Sequence, residues 1–97
     1  MTEITRGEIV RVGVDLAKHV IQIHAVDQVG RTVIAKPLAR EKFLAWCTLQ
    51  LPPGCLIAME ACGGAHHWAR RLQEMGFDAR LIAGHFVGPY LSAPVEL

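Results

Sequence analysis

The 97-residue chain is long enough for one small domain with one hydrophobic core. Hydrophobic residues make up 52% of it and charged residues 20%, a composition that excludes a disordered polymer. Its 10 Lys and Arg against 9 Asp and Glu leave a net charge of +1. This balance excludes a strongly basic domain but not a local basic patch.

Three features of the sequence bear on the cellular compartment. The longest apolar runs, such as residues 55–59, are too short to span a bilayer, and the N-terminal MTEITRGE lacks the apolar core of a secretion signal. Cys47, Cys55 and Cys62 are an odd number of cysteines without the spacing of a disulfide framework, so we expect reduced thiols. Together they predict a cytoplasmic protein with no membrane segment.

The N-terminal part of the chain has the pattern of three strands joined by tight turns. Apolar and polar residues alternate over residues 9–15 and 19–27, and residues 31–38 form a third run. Gly30 is placed for the turn between the second and third strands. Because Pro37 cannot donate to a ladder, the third strand should end there or lie at a sheet edge.

Two helices and two further strands follow. The spacing of apolar residues predicts helices over residues 39–51 and 65–75 and strands over residues 55–60 and 77–82. Gly76 lies where a helix C-terminal glycine belongs. The expected buried stripes are Phe43, Leu44, Cys47 and Leu51 on the first helix and Ala65, Trp68, Leu72 and Met75 on the second.

This order of elements predicts an α/β fold, a mixed five-stranded sheet with flanking helices. The last two strands are reached through helical crossovers, which usually make parallel neighbours and are right-handed. We expect residues 1–8 to be a tail, residues 9–83 to be the domain and residues 84–97 to be an irregular tail. Residues 87–97 should leave apolar surface exposed where a further helix would pack, which predicts a homo-oligomer.

Asp15 and Glu60 are the candidate site residues, because each closes a predicted strand. If those strands are parallel neighbours, both carboxylates emerge at the sheet end where such folds bind ligands. Mg²⁺ would offset the repulsion between them, and two-metal phosphodiester chemistry uses such acids. Spacing alone also allows a simpler interpretation, in which Asp15 is a turn acid and Glu60 a solvated charge.

Two longer segments are more specific, VGVDLAKHVIQIHAVDQVGRTV and MEACGGAHHWARRLQEMGFDARLI. They combine GVD-x-AK at a strand end with MEACG-x-AHHWAR after a Pro-Pro loop. From about residue 10 to residue 90 the chain resembles the N-terminal domain of bacterial insertion-sequence transposases of the DEDD class. Those enzymes have a ribonuclease H-like, RuvC-like fold, with which the predicted strand order agrees.

The resemblance implies that Asp15 and Glu60 are the first two of four catalytic, metal-binding acids. The family's other two acids follow the segment matched by residues 85–90, where Glu96 has neither their motif nor their spacing. Gly88 also stands where the family usually carries a lysine. We therefore expect a truncated catalytic-domain fragment, its fold incomplete at the C-terminal end, which binds Mg²⁺ weakly or not at all and is inactive alone. Intact relatives would act on DNA with a guide RNA.

Lys18, His66 and His67 are candidate nucleic-acid contacts. Lys18 follows the strand of Asp15, and the two histidines open the second helix, where they could meet a phosphate. The simpler interpretation is a solvated polar first turn. Cys62, His66 and His67 also have half of a zinc motif, which is weak evidence because structural zinc sites usually have paired ligand clusters.

Two other classes of function stay open. The first is a non-enzymatic module that binds itself or a partner through the same fold. The second is the nucleotide-binding half of a sugar-kinase-like ATPase, but Ala17 and Lys18 stand where that family has glycine and threonine. Nucleotide titration would distinguish the second class. Trp46 and Trp68 are expected in the core rather than as base-stacking platforms.

Overall fold

The protein is described from a computed structural model, in which residues 9–17 and 19–83 can be placed. The two predicted tails, residues 1–8 and 84–97, lie outside the described residues, and so does Lys18. The apolar flank predicted at residues 87–97 lies outside them as well. No helix within the described residues is long and apolar enough to cross a membrane.

Five strands and two helices form the domain, and the strands and the second helix begin and end within two residues of the predicted positions. Their bounds are β1 Arg11–Leu16, β2 Val20–Val26, β3 Thr32–Ala39, α1 Phe43–Gln50, β4 Leu56–Glu60, α2 Ala65–Glu74 and β5 Asp78–Ile82. The helix predicted over residues 39–51 is wrong in its first turn, because Ala39 still pairs with Val20 in β3. The chain then makes a 3₁₀ turn, Arg40–Lys42, before α1 begins.

The strands form one mixed sheet in the order β3-β2-β1-β4-β5, which confirms the predicted sheet. β1 is antiparallel to β2 and parallel to β4, β2 is antiparallel to β3, and β4 is parallel to β5. The crossovers from β3 to β4 and from β4 to β5 step across the sheet in the same direction. With right-handed crossovers, both helices therefore lie on one face of the sheet.

The hydrophobic core lies between that face and the two helices. It includes Val12, Val14, Ile21, Ile23, Ile57, Met59 and Ala79 from the sheet with Phe43, Trp46, Cys47, Ala65, Ala69 and Leu72 from the helices. Of the predicted stripe residues, Leu44, Trp68 and Met75 are only half-buried but still pack against this core. Trp46 is buried, as expected, and Ala69, which the predicted stripe does not include, is buried as well. The small side chain of Ala69 suits a helix that packs closely on the sheet.

The turns lie where the sequence has residues that favour them. Asp27 Oδ1 accepts hydrogen bonds from the backbone N–H groups of Val29 and Arg31, at 3.0 and 2.9 Å. Gly30 has φ +90°, and Gly76, just beyond α2, has φ +96°, conformations that favour glycine. Pro37 lies within β3, which is an edge strand as its presence predicted.

Candidate functional site

Asp15 and Glu60 lie on adjacent parallel strands, as predicted. The register of β1 against β4 runs from Arg11 opposite Leu56 to Val14 opposite Met59. Asp15 and Glu60 each follow by one residue, so they are cross-strand neighbours at the carboxyl ends of the two strands. Both residues are exposed.

The two carboxylates lie on the sheet face opposite the helices. Val14 and Met59 precede them and point into the core, at 2% and 0% exposed. Because successive side chains of a strand point to opposite faces, Asp15 and Glu60 share the other face. Gln22, the β2 residue paired with Asp15, is exposed on that same face.

The β1–β4 ladder stops just before the acids. Asp15 is still paired with Gln22 of β2, whereas Glu60 is paired with Ile82 of β5. Beyond them, the N–H of Ala17 donates to Val20 at 3.0 Å and the N–H of Ala61 donates to Ile82 at 2.8 Å. Beyond the acids, the two strands are therefore held by different parts of the sheet, β1 by the β1–β2–β3 meander and β4 by the β4–α2–β5 unit.

Two neighbouring carboxylates are a donor set for a hydrated hard cation. Mg²⁺ is commonly bound through one or two carboxylates and keeps several of its waters. Within residues 9–17 and 19–83, no three His, Cys, Asp or Glu side chains gather closely enough to hold a metal ion. A cation at the pair would have to take most of its ligands from water or substrate.

The cysteines are not arranged as a zinc site in the part of the chain that the structure describes. Cys47 and Cys55 are buried, whereas Cys62 is exposed. Burial raises the pKa of both buried thiols from 9.0 to about 12, with the nearby Cys55 adding to the effect on Cys47. Since the thiolate is the form that binds metals, these two thiols are poor ligands at neutral pH.

His66 and His67 lie in the first turn of α2, which begins soon after Glu60 at the same end of the sheet. Both are exposed, and the ring of His67 meets Trp68 edge to face with centroids 5.7 Å apart. The two histidines thus lie at the same end of the sheet as the acids, on the side of the helices. Their contact with nucleic acid stays a prediction, as does that of Lys18.

Arg40 is a residue at this end that the sequence interpretation missed. Its Nη1 donates a hydrogen bond to the carbonyl oxygen of Ala17 at 2.9 Å, and its Cζ lies 5.6 Å from the ring centroid of Trp68. It follows β3, which runs parallel to β1 and β4, so it lies at the same end of the sheet as the acids, where these three strands end. That parallel direction was the available signal, because a basic residue directly follows the predicted third strand.

Comparison with known proteins gives a consistent set of names. The chain is 52% identical over 81 residues to a probable family 20 transposase of Pseudomonas aeruginosa. It is 39% identical over 84 residues to a putative transposase of Sinorhizobium fredii and 36% identical over 85 residues to the transposase for insertion sequence element IS1328 of Yersinia enterocolitica. No model of a protein family matches the chain, and no solved structure matches it.

These matches involve most of this chain and a minor part of each relative. They include 84%, 87% and 84% of the chain, and 23%, 21% and 24% of the respective relatives. The chain thus spans less than a quarter of the length of these curated relatives. It is homologous over that span to part of several proteins that are named transposases.

Proposed function

We propose that this chain is a segment of the catalytic domain of a DEDD-class transposase, with a ribonuclease H-like fold. Asp15 and Glu60 would be two of the acids that hold Mg²⁺. The observation that carries the proposal is their position side by side at the ends of β1 and β4, in a chain whose relatives are named transposases. The mixed five-stranded sheet supports the fold assignment, because the order of strands and helices along the chain is one that the resemblance fits.

The acid pair has the electrostatic character that this role needs. Among the described residues, neither Asp15 nor Glu60 has an ion-pair partner, and both are open to solvent. Their mutual repulsion is therefore left for a divalent cation to offset. A bound Mg²⁺ would supply Lewis-acid activation of a phosphodiester and stabilise developing charge on its oxygens.

DNA is the proposed substrate of the whole protein, and a guide RNA its proposed partner. In this chain, His66 and His67 at the start of α2 are the groups proposed to contact the nucleic-acid backbone, together with Lys18. Because the net charge is only +1, such contacts would be local. Binding through them should weaken as salt is raised, since each phosphate contact releases condensed counterions.

A manganese titration followed by electron paramagnetic resonance tests the proposal. The wild type should bind Mn²⁺ weakly, and either Asp15→Asn or Glu60→Gln should abolish that binding, because each removes one of two protein ligands. Glu74→Gln is the matched control, since Glu74 is an exposed acid on α2 that pairs with Arg71 at 3.7 Å. Equal Mn²⁺ binding by the wild type and by a double variant that carries both Asp15→Asn and Glu60→Gln would contradict the proposal.

A cleavage assay tests the expected incompleteness of the site. The 97-residue chain should not cut linear or branched DNA in Mg²⁺ or Mn²⁺, because two carboxylates are too few to hold two ions in fixed geometry. Asp15→Ala serves as the negative control. Cutting by the wild type but not by this variant would show that these residues already form a complete site. A protein that binds neither Mn²⁺ nor DNA but self-associates would favour the non-enzymatic module.

A further inference from the structure

We infer that Arg40 is a positioning residue that sets the separation of Asp15 and Glu60. The inference rests on the proposed metal-binding role of the two acids. Arg40 itself is not placed as a ligand. It acts through the backbone after Asp15 and through the helix after Glu60.

The β1–β4 ladder ends where such a residue would act. The last pair in register is Val14 opposite Met59, one residue before the acids. From there Asp15 is held by pairing with β2, and Glu60 by pairing with β5. The β1–β4 ladder therefore reaches the backbone of the acids but does not continue beyond them within the described residues.

Arg40 connects the two parts at this point. On one side, its Nη1 donates to the carbonyl oxygen of Ala17, two residues beyond Asp15, at 2.9 Å. On the other side, its guanidinium lies over Trp68 of α2, with Cζ 5.6 Å from the ring centroid, within cation–π range. Arg40 also follows the end of β3, so one residue joins the ends of three elements.

The connection is anchored in the core. Trp68 packs edge to face against Phe43, with ring centroids 5.5 Å apart, and Phe43 is completely buried. Arg40 is itself half-buried, so its side chain is not free to sample many rotamers. A guanidinium carries several N–H donors around a delocalised charge, so it can lie over the indole and donate to a carbonyl at once, which the compact ammonium of lysine reproduces less well.

Removing Arg40 would have two opposite effects on the affinity for a divalent cation. Their balance distinguishes a positioning role from a purely electrostatic one. Loss of the positive charge of Arg40, at the same end of the sheet as the two carboxylates, would by relief of Coulomb repulsion alone strengthen the binding of a divalent cation. Loss of the connection would let the acids move apart and weaken that binding. We expect weakening to dominate, by roughly tenfold, the lower end of the effect of residues that orient metal ligands.

The test compares Mn²⁺ affinity in the wild-type chain, Arg40→Met, Arg40→Lys and Arg70→Met. Arg70→Met is the control, because Arg70 is exposed on α2 and its loss changes the net charge equally. Arg40→Met should bind about tenfold more weakly, Arg40→Lys should be intermediate and Arg70→Met should match the wild type. Circular dichroism checks that each variant is folded. If Arg40→Met does not fold, the Mn²⁺ affinity of Arg40→Lys relative to the wild type tests the inference instead.

The outcomes separate this inference from the function beneath it. Unchanged or tighter binding in the folded Arg40 variants, with Asp15→Asn still abolishing binding, overturns the positioning role alone. Equal weakening in Arg70→Met would also overturn it, because a distant charge would then have the same effect. No Asp15-dependent binding in the wild type would overturn both the proposed function and the inference.

Discussion

A double-mutant cycle on Asp15 and Glu60 would measure directly whether the two carboxylates are neighbours. The variants are Asp15→Asn, Glu60→Gln and the double variant, studied without divalent cations at low ionic strength. Each substitution removes one charge with little change in side-chain volume. If the acids repel each other, either single substitution should raise the free energy of unfolding.

The magnitude follows from the sheet geometry. Adjacent strands lie about 4.8 Å apart, and like charges at about 5 Å in water repel by about 0.8 kcal/mol. Each single variant should therefore gain about 0.8 kcal/mol, which for a domain of this size raises Tm by about 3–6 °C. The double variant should gain no more than either single variant, because the same repulsion cannot be removed twice. At physiological salt, screening over about 8 Å should reduce the gain to about half.

Urea denaturation followed by circular dichroism gives the four free energies. Addition of Mg²⁺ should then stabilise the wild type and none of the variants, because a ligand stabilises only the state that binds it. A parallel cycle between Asp15→Asn and Glu74→Gln should show no coupling, since Glu74 lies at the C-terminal end of α2. Additive gains in the Asp15–Glu60 cycle would refute the side-by-side placement of the carboxylates.

Three further predictions concern the core, the thiols and association. Leu72→Ala should lower the free energy of unfolding by about 2–5 kcal/mol in urea denaturation, because Leu72 is completely buried, whereas Leu49→Ala, at 67% exposed, should change it by less than about 0.5 kcal/mol. Near pH 8 a thiol reagent should label Cys62 quickly and Cys47 and Cys55 only on unfolding. Since the pKa of both buried thiols is raised from 9.0 to about 12, the folded state retains their protons and the unfolded state loses them. Stability measured by urea denaturation should therefore fall as pH rises above 9 and be insensitive to these groups below it. Light scattering should show a dimer or larger oligomer, and a monomer across a wide concentration range would contradict that expectation.

The sheet could be predicted from the sequence because its information is local. Alternation over β1 and β2, the glycine at position 30 and the proline at position 37 each restrict the backbone within a few residues. The length of the crossovers then determines which strands are parallel. These rules allow β1 and β4, and with them Asp15 and Glu60, to be parallel neighbours, as they are in the sheet.

The side-chain packing could not be predicted in the same way, because it depends on contacts between elements distant in the sequence. Ala69 is buried whereas the neighbouring Trp68 is only half-buried. This difference depends on how closely α2 approaches the sheet, which helical periodicity alone does not specify. The 3₁₀ turn before α1 arises because β3 extends to Ala39, a consequence of its pairing with Val20. The contacts of Arg40 with Ala17 and Trp68 likewise join three separate segments.

The position of Arg40 shows how the rule that identified the acids extends further. Asp15 and Glu60 each close a strand, and parallel strands bring their carboxyl ends to the same end of the sheet. β3 runs parallel to β1 and β4, so the residue after it lies at the same end of the sheet as well. This residue is Arg40. The start of α2 adds His66 and His67 to the same end of the sheet. The carboxyl end of the sheet therefore brings two acids together with Arg40 and two histidines, although the chain as a whole is nearly neutral, because topology rather than composition gathers these groups.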